Sequence, residues 1–199
     1  HHVRLACSLS IPARFGAFGA ECKGLPLVLD WTLAMMCEHG HQAGLLVGSL
    51  PLYIPLEVLP AANALPVGIM GAGDRKQIIK GDAYYQSYIC HLPRGVIEMA
   101  LDSNLVGFDG FLFPAICDCV RNLSGMFKLA KKGKFTRYFD YPQNFTEHIG
   151  GTFFRELIQT VQQDMFQLNG GAVTPYRINN PTGMYNHNRR GIQKTHDIT

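Results

Sequence analysis

The sequence has little charge and no hydrophobic run long enough to cross a membrane. Only 17% of its 199 residues are charged, the formal net charge is +3, and no basic tract carries interleaved aromatic residues. So small a charge does not favour nucleic acid as a partner. The longest apolar runs, such as Leu45 to Leu52, fall far short of the roughly 20 residues that a membrane helix needs. We therefore expect neither nucleic-acid binding nor membrane insertion.

The six cysteines follow no regular pattern. The sequence has no CxxC pair, no ferredoxin-type run of four cysteines and no spacing typical of a secreted disulfide framework. These absences predict a reducing, cytoplasmic compartment. Cys7, Cys22 and Cys37 have no spacing that suggests a site, and the start at His1 without a methionine suggests a partial chain.

Apolar residues are plentiful, at 47% of the chain, and they fall into alternating strand-like and helix-like segments. Four segments have the short apolar runs of buried strands: Ala43 to Ser49, Leu65 to Met70, Phe108 to Phe113 and Phe135 to Phe139. A helical pattern follows each of them. This order predicts an α/β fold, with a parallel, Rossmann-like sheet of about four strands flanked by helices and a C-terminal helical segment.

The same patterns divide the chain into three parts. Residues 1–41 are a poorly defined N-terminal segment interrupted by glycines and prolines. Residues 42–145 form the predicted α/β domain. Residues 146–199 form a helical segment, in which the apolar periodicity is clearest from Glu147 to Leu168.

Two cysteines each stand where a helix-like pattern begins. Cys90 precedes a periodic apolar run, and Cys117 follows the run 111–113 and precedes another. Ligands of α/β sheets bind at the carboxyl ends of the strands, and a helix N-terminus favours a thiolate. The pair therefore indicates a soft-metal site, with an iron–sulfur cluster as the first candidate. The alternative is that both are small buried hydrophobic residues.

Three further features have simpler interpretations beside the functional ones. Cys119 does not share a helix face with Cys117, so it ranks second as a ligand. Glu57 begins a predicted short helix over 56–64, where capping alone would explain a carboxylate. The run 71–74, GAGD, lacks the third glycine of a dinucleotide fingerprint and is interpreted as a turn.

Three stretches carry a resemblance to a known family. They are GDAYYQSYICHLPRG at 81–95, FDGFLFPAICDCVRNLSGMFK at 108–128 and YFDYPQNF at 138–145. These stretches resemble the subunits of class I benzoyl-CoA reductases, which are similar to 2-hydroxyacyl-CoA dehydratase subunits. The resemblance covers Val47 to Asn144 and continues more weakly to Gln193.

The resemblance implies an iron–sulfur subunit of an ATP-dependent, oxygen-sensitive benzoyl-CoA reductase, which carries single electrons to an aromatic acyl-CoA. It implies a [4Fe–4S] cluster held by Cys90 and Cys117. The expected partners are a homologous second catalytic subunit, an ATP-hydrolysing activator that donates electrons, and the acyl-CoA substrate. The stretch LYIPLE resembles a family turn beside the active site, which makes Glu57 a candidate for proton transfer or for orienting the thioester.

Subunits of that family are longer and take a further cluster ligand from a second α/β domain. We therefore expect the third ligand to come from outside this sequence, and the chain to be inactive alone. Three alternatives stay open. They are a subunit of a 2-hydroxyacyl-CoA dehydratase, a non-catalytic structural partner in such a complex, and a zinc or thiol-redox protein with a reversible Cys117–Cys119 disulfide.

Overall fold

Four parallel strands form the centre of the computed structural model, which describes residues 45–50, 52–71, 77–170, 183, 185–187, 190 and 193. Their order in the sheet is β2-β1-β3-β4. The bounds are Leu45–Ser49 for β1, Ala64–Gly68 for β2, Gly110–Pro114 for β3 and Phe135–Phe139 for β4. Each strand overlaps the segment predicted for it, so the predicted α/β fold with a parallel sheet is confirmed. The predicted N-terminal segment 1–41 lies outside the described residues.

Helices connect the strands and follow the last one. Their bounds are Val58–Ala61 for α1, His91–Leu101 for α2, Asp118–Ala130 for α3 and Thr152–Asn169 for α4. A 3₁₀ turn, Gly81–Ala83, precedes α2, and a π-helical turn, Glu147–Gly151, precedes α4. Helix α1 is shorter than the predicted 56–64, because Asn63 adopts a left-handed backbone with φ 57° that ends the helical path. No helix among the described residues has the length and apolar character needed to span a membrane.

Parallel pairing places all four strand ends at one edge of the sheet. β1 pairs with β2 from Leu45↔Ala64 and with β3 from Val47↔Gly110. β3 pairs with β4 along its whole length, from Gly110↔Phe135 to Pro114↔Phe139. The segments that follow the strands therefore meet at the same side, which we call the carboxyl edge.

Apolar side chains cover both faces of the sheet. Successive residues of β3 point to opposite faces. Phe111 and Phe113 pack under α2 and α3, whereas Leu112 packs under α1 and α4. Phe127 of α3 meets the rings of Phe111 and Phe113 edge-on, at centroid distances of 4.9 and 4.8 Å. Such edge-to-face contacts fix the position of α3 more narrowly than aliphatic burial alone would.

The chain after β2 crosses α2 at a close backbone approach between two glycines. Gly71 has a φ of 70°, and a Cβ atom built on Gly95 would lie 2.3 Å from the carbonyl oxygen of Gly71. The opposing atom is backbone, so it cannot move aside as a flexible side chain could. Only glycine at position 95 allows this crossing. After it, the chain continues towards Cys90.

We expect Gly95→Ala to lower the free energy of unfolding by about 1 to 3 kcal/mol, because the methyl group overpacks a backbone contact. Gly125→Ala is the matched control, since nothing lies within 4 Å of a Cβ atom at that position of α3. There alanine should raise stability by about 0.5 to 1 kcal/mol by improving helix propensity. Urea denaturation followed by circular dichroism measures both. Equal changes in the free energy of unfolding for the two substitutions would show that Gly95 is not in a tight backbone contact.

Candidate functional site

Cys90 and Cys117 each occupy the residue immediately before a helix. Cys90 precedes α2 with φ −56° and ψ 153°, and Cys117 precedes α3 with φ −160° and ψ 169°. Both side chains are exposed, neither is in a disulfide, and neither caps its own helix through a hydrogen bond. Helices α2 and α3 therefore begin directly after Cys90 and Cys117, as the sequence predicts. The interpretation of both cysteines as small buried hydrophobic residues is wrong, because both are exposed.

The two helices bring these cysteines to the same region of the carboxyl edge. Helices α2 and α3 share one hydrophobic core, in which Val96 and Ile97 pack with Val120, Leu123 and Phe127. The segment that carries Cys117 follows β3 directly, and its Ala115 amide donates to the Phe139 carbonyl at 2.9 Å. The thiol-bearing starts of both helices are thus fixed relative to one sheet.

Cys119 is less exposed than Cys117. It is partly buried and packs against the core beneath α3. Burial, then the charge and hydrogen bonding of Cys117, then the charge of Cys90, raise the pKa of the Cys119 thiol. The three sulfur atoms therefore share one electrostatic neighbourhood. Within the described residues, however, no three histidine, cysteine, aspartate or glutamate side chains form a group that could hold a metal ion.

Tyr85 lies among these thiols. Its ring is 6% exposed and belongs to the core, and its hydroxyl donates to the backbone carbonyl of Cys119 at 2.6 Å. Burial is the largest cause that raises the pKa of Tyr85, followed by the charges of Cys119, Cys117 and Cys90. The phenol consequently stays protonated and keeps its role as a donor at neutral pH. Its neighbours Tyr84 and Tyr88 are exposed.

Two charged residues of α2 hold the loop that leads to Cys90. The Arg94 guanidinium donates to Asp82 from Nε at 2.8 Å and from Nη2 at 2.5 Å, and it also reaches the carbonyl of Ser87 at 3.1 Å. The carboxyl group of Glu98 is buried, at 2% exposure, and accepts from the amides of Ile79 at 3.0 Å and Gly81 at 2.6 Å. Helix α2 thus fixes its own preceding loop.

Sequence reasoning did not single out Arg94 or Glu98. The available signal was a charged residue inside an apolar-periodic helix, since Glu98 stands between Ile97 and Met99. A carboxylate at such a position must find donors or stay exposed. That its donors are backbone amides of the preceding loop became visible only in the folded structure.

Glu57 lies at the carboxyl edge, next to α1 on the opposite face of the sheet from α2 and α3. Its side chain is partly exposed and makes no capping hydrogen bond to α1. The loop that carries it is held by Tyr141, whose hydroxyl donates to the backbone carbonyl of Tyr53. Tyr53 itself has a left-handed backbone with φ 58°.

The segment after β4 packs as an aromatic cluster. The ring of Tyr141 meets those of Tyr53, Phe139 and Phe154 at centroid distances of 5.6, 5.6 and 5.4 Å. Burial raises the pKa of Tyr141. This cluster joins β4 and α4 to the loop of Glu57.

Exposed large hydrophobic side chains concentrate in the loops at the carboxyl edge. We call this set the apolar rim, and it consists of Leu52, Tyr53, Met70, Tyr84, Tyr88, Ile116 and Phe145. Tyr88 is 80% exposed and Phe145 87%. Exposed apolar side chains that gather at one edge are typical of a binding surface. Both exposed cysteines lie in the same set of loops.

A family of known proteins shares the part of the chain that builds this arrangement. The model of the family described as 2-hydroxyglutaryl-CoA dehydratase, D-component, matches residues 51–199. The chain belongs to this family. The match takes in both cysteine-bearing helix starts, Glu57 and the apolar rim, and it confirms the family resemblance seen in the sequence.

Relatives come from both branches of the family. A benzoyl-CoA reductase subunit of Thauera aromatica is 40% identical over 179 residues, which is 90% of this chain and 46% of that protein. The beta subunit of (R)-2-hydroxyglutaryl-CoA dehydratase of Acidaminococcus fermentans is 31% identical over 156 residues, 78% of this chain and 41% of that protein. The beta subunit of (R)-phenyllactyl-CoA dehydratase of Clostridium sporogenes is 24% identical over 154 residues, 77% of this chain and 41% of that protein. The chain thus spans less than half the length of these curated relatives.

We expect Glu98→Ala to lower the free energy of unfolding by about 2 to 3 kcal/mol, because the buried amide of Gly81 and the partly buried amide of Ile79 lose their acceptor. Hydrogen exchange at Ile79 and Gly81 should accelerate more than at the centre of α2. Glu156→Ala, at an exposed position of α4, is the matched control and should change stability little. Unchanged exchange at Ile79 and Gly81 in Glu98→Ala would show that the carboxyl group does not hold this loop.

Proposed function

We propose that the chain is the cluster-binding part of an iron–sulfur subunit of an ATP-dependent, oxygen-sensitive benzoyl-CoA reductase, active in the cytoplasm, that carries single electrons to an aromatic acyl-CoA. The observation that carries this proposal is the pair of exposed thiols, Cys90 and Cys117, at adjacent helix starts on the carboxyl edge. The 40% identity to a benzoyl-CoA reductase subunit favours the reductase over the dehydratase.

The donor set fits an iron–sulfur cluster as a partial ligand set. Iron–sulfur clusters are held by cysteine thiolates. Cys90 and Cys117 present their sulfur atoms to solvent, whereas Cys119 is partly buried and hydrogen-bonded to Cys117. We therefore assign ligation to Cys90 and Cys117, with the remaining ligands from outside the described residues.

A cluster bound there would supply one-electron transfer to the substrate. The chain's own residues would fix its position and shield it. Burial and hydrogen bonds around cluster sulfur tune its potential, so the inward ring of Tyr85 would form part of a dry wall. Glu57, at the same edge of the sheet, would move a proton at the substrate or orient the thioester.

We propose that the apolar rim is covered by another molecule in the working enzyme. Its aromatic and aliphatic side chains fit contact with a homologous second subunit and with the acyl group of the substrate. An ATP-hydrolysing activator would deliver the electrons. The chain would then be inactive without these partners.

A dehydratase subunit is the second candidate, favoured by the 31% identity to a 2-hydroxyglutaryl-CoA dehydratase beta subunit. Both substrate classes should therefore be offered to the assembled, reduced enzyme with ATP. If only benzoyl-CoA is consumed, the result supports the reductase. Consumption of a 2-hydroxyacyl-CoA alone would replace the proposed function with the dehydratase.

Anaerobic purification and reconstitution, with iron and sulfide quantified, test the ligand assignment. We expect a brown wild-type protein, and loss of most of the iron in Cys90→Ser and in Cys117→Ser, because serine replaces a soft ligand with a hard one. Cys119→Ser is the matched control and should keep most of its iron. A colourless wild type after reconstitution would overturn the cluster, and full iron in Cys117→Ser would overturn the assignment.

A further inference from the structure

We propose that Tyr85 is a positioning residue that sets the separation of the Cys90 and Cys117 thiols, by bonding the loop before Cys90 to the first turn of α3. This inference rests on the proposed function, because it concerns the same cysteine pair. Tyr85 is not proposed as a cluster ligand. It acts through its hydrogen bond to the backbone of Cys119.

The first step is the direction of the Tyr85 side chain. Tyr84 and Tyr88 of the same loop are 46% and 80% exposed, whereas Tyr85 is 6% exposed. Its ring packs in the core shared by α2 and α3. A tyrosine that turns inward from a surface loop needs a partner for its hydroxyl.

The second step is the partner itself. The Tyr85 hydroxyl donates at 2.6 Å to the carbonyl oxygen of Cys119, which lies 34 positions further along the chain. Cys119 is in the first turn of α3, two residues after Cys117. Because a helical turn moves as one unit, fixing this carbonyl also fixes the backbone of Cys117.

The third step is that the Tyr85 loop is already fixed to α2. Arg94 binds Asp82 and the Ser87 carbonyl, and Glu98 binds the Ile79 and Gly81 amides. The loop, Cys90 and α2 therefore form one unit, and α3 with Cys117 forms a second. The hydroxyl of Tyr85 connects the two units close to both thiols, where small shifts change the distance between them most.

Tyr85→Phe tests this connection, because phenylalanine keeps the ring in the core and removes only the hydroxyl. Tyr88→Phe is the exposed control. Tyr141→Phe is the second control, because it also removes a phenol hydroxyl that donates to a backbone carbonyl, in this case from a half-buried tyrosine on the opposite face of the sheet. All variants are made in the full chain.

The first measurement needs no metal. The cysteines other than Cys90 and Cys117 are replaced by serine, which leaves the carbonyl at position 119 in place. A short bifunctional thiol reagent then joins Cys90 to Cys117 in the iron-free protein. We expect Tyr85→Phe to slow this cross-linking several-fold, and both controls to match the parent. An unchanged rate would overturn the proposal, whatever the effect on thermal stability.

The second measurement uses wild-type cysteines and reconstituted iron. Groups that orient metal ligands typically alter metal affinity on the order of 10-fold or more, so iron loss to a chelator should accelerate by about that factor in Tyr85→Phe. The visible spectrum of the cluster should shift as well, and Tyr88→Phe should change neither. When the wild type binds iron, the proposal requires both the slower cross-linking and the faster iron loss, and either change alone overturns it.

Failure of the proposed function is distinguishable from failure of this inference. If the wild type binds no iron, the cluster proposal is rejected. The cross-linking rates alone then decide whether Tyr85 positions the thiols. A wild type that binds iron, with Tyr85→Phe equal to it in both measurements, keeps the proposed function and removes the role of Tyr85.

Discussion

Parallel pairing of the four strands places every part of the candidate site. Because β1, β2, β3 and β4 run in one direction, each chain segment that leaves a strand emerges at the same edge. Cys117, Glu57 and the aromatic cluster of Tyr141 follow different strands, yet all lie at this edge. An antiparallel strand at the position of β3 would have moved Cys117 to the opposite end of the sheet. The site is therefore a consequence of strand direction before any side chain is considered.

Polar contacts then convert loops into fixed parts of that edge. The loop before Cys90 is bound to α2 through Arg94 and Glu98, and to α3 through Tyr85. The loop of Glu57 is held by the hydroxyl of Tyr141. Buried groups such as Glu98 impose a strong preference for one loop conformation, since an unsatisfied carboxyl or amide costs more than a typical hydrogen bond contributes. These contacts lie within the chain itself, so they fix the loops before Cys90 and Glu57 without any bound group.

The carboxyl edge combines exposed thiols with exposed apolar side chains, which is the composition of a surface that meets another molecule. The chain spans less than half the length of its curated relatives, whose names describe subunits of multi-component enzymes. For the proposed cluster, a covering layer would lower the local dielectric and exclude water. The apolar rim and the cysteine pair are therefore best understood together, as parts of one contact region.

Local periodicity in the sequence was enough to predict the α/β alternation, the approximate strand positions and the placement of Cys90 and Cys117 at helix starts. These features depend on residues that are neighbours in the chain, and the long family motifs were sufficient to predict the family. Folding in three dimensions was needed to establish the strand order β2-β1-β3-β4, the inward turn of Tyr85 between exposed Tyr84 and Tyr88, and the burial of Glu98. The same holds for Cys119, which faces the core while Cys117 faces solvent. A periodic pattern defines the apolar side of each element, but the partner that covers that side, and the polar groups it must satisfy, come from segments distant in the sequence.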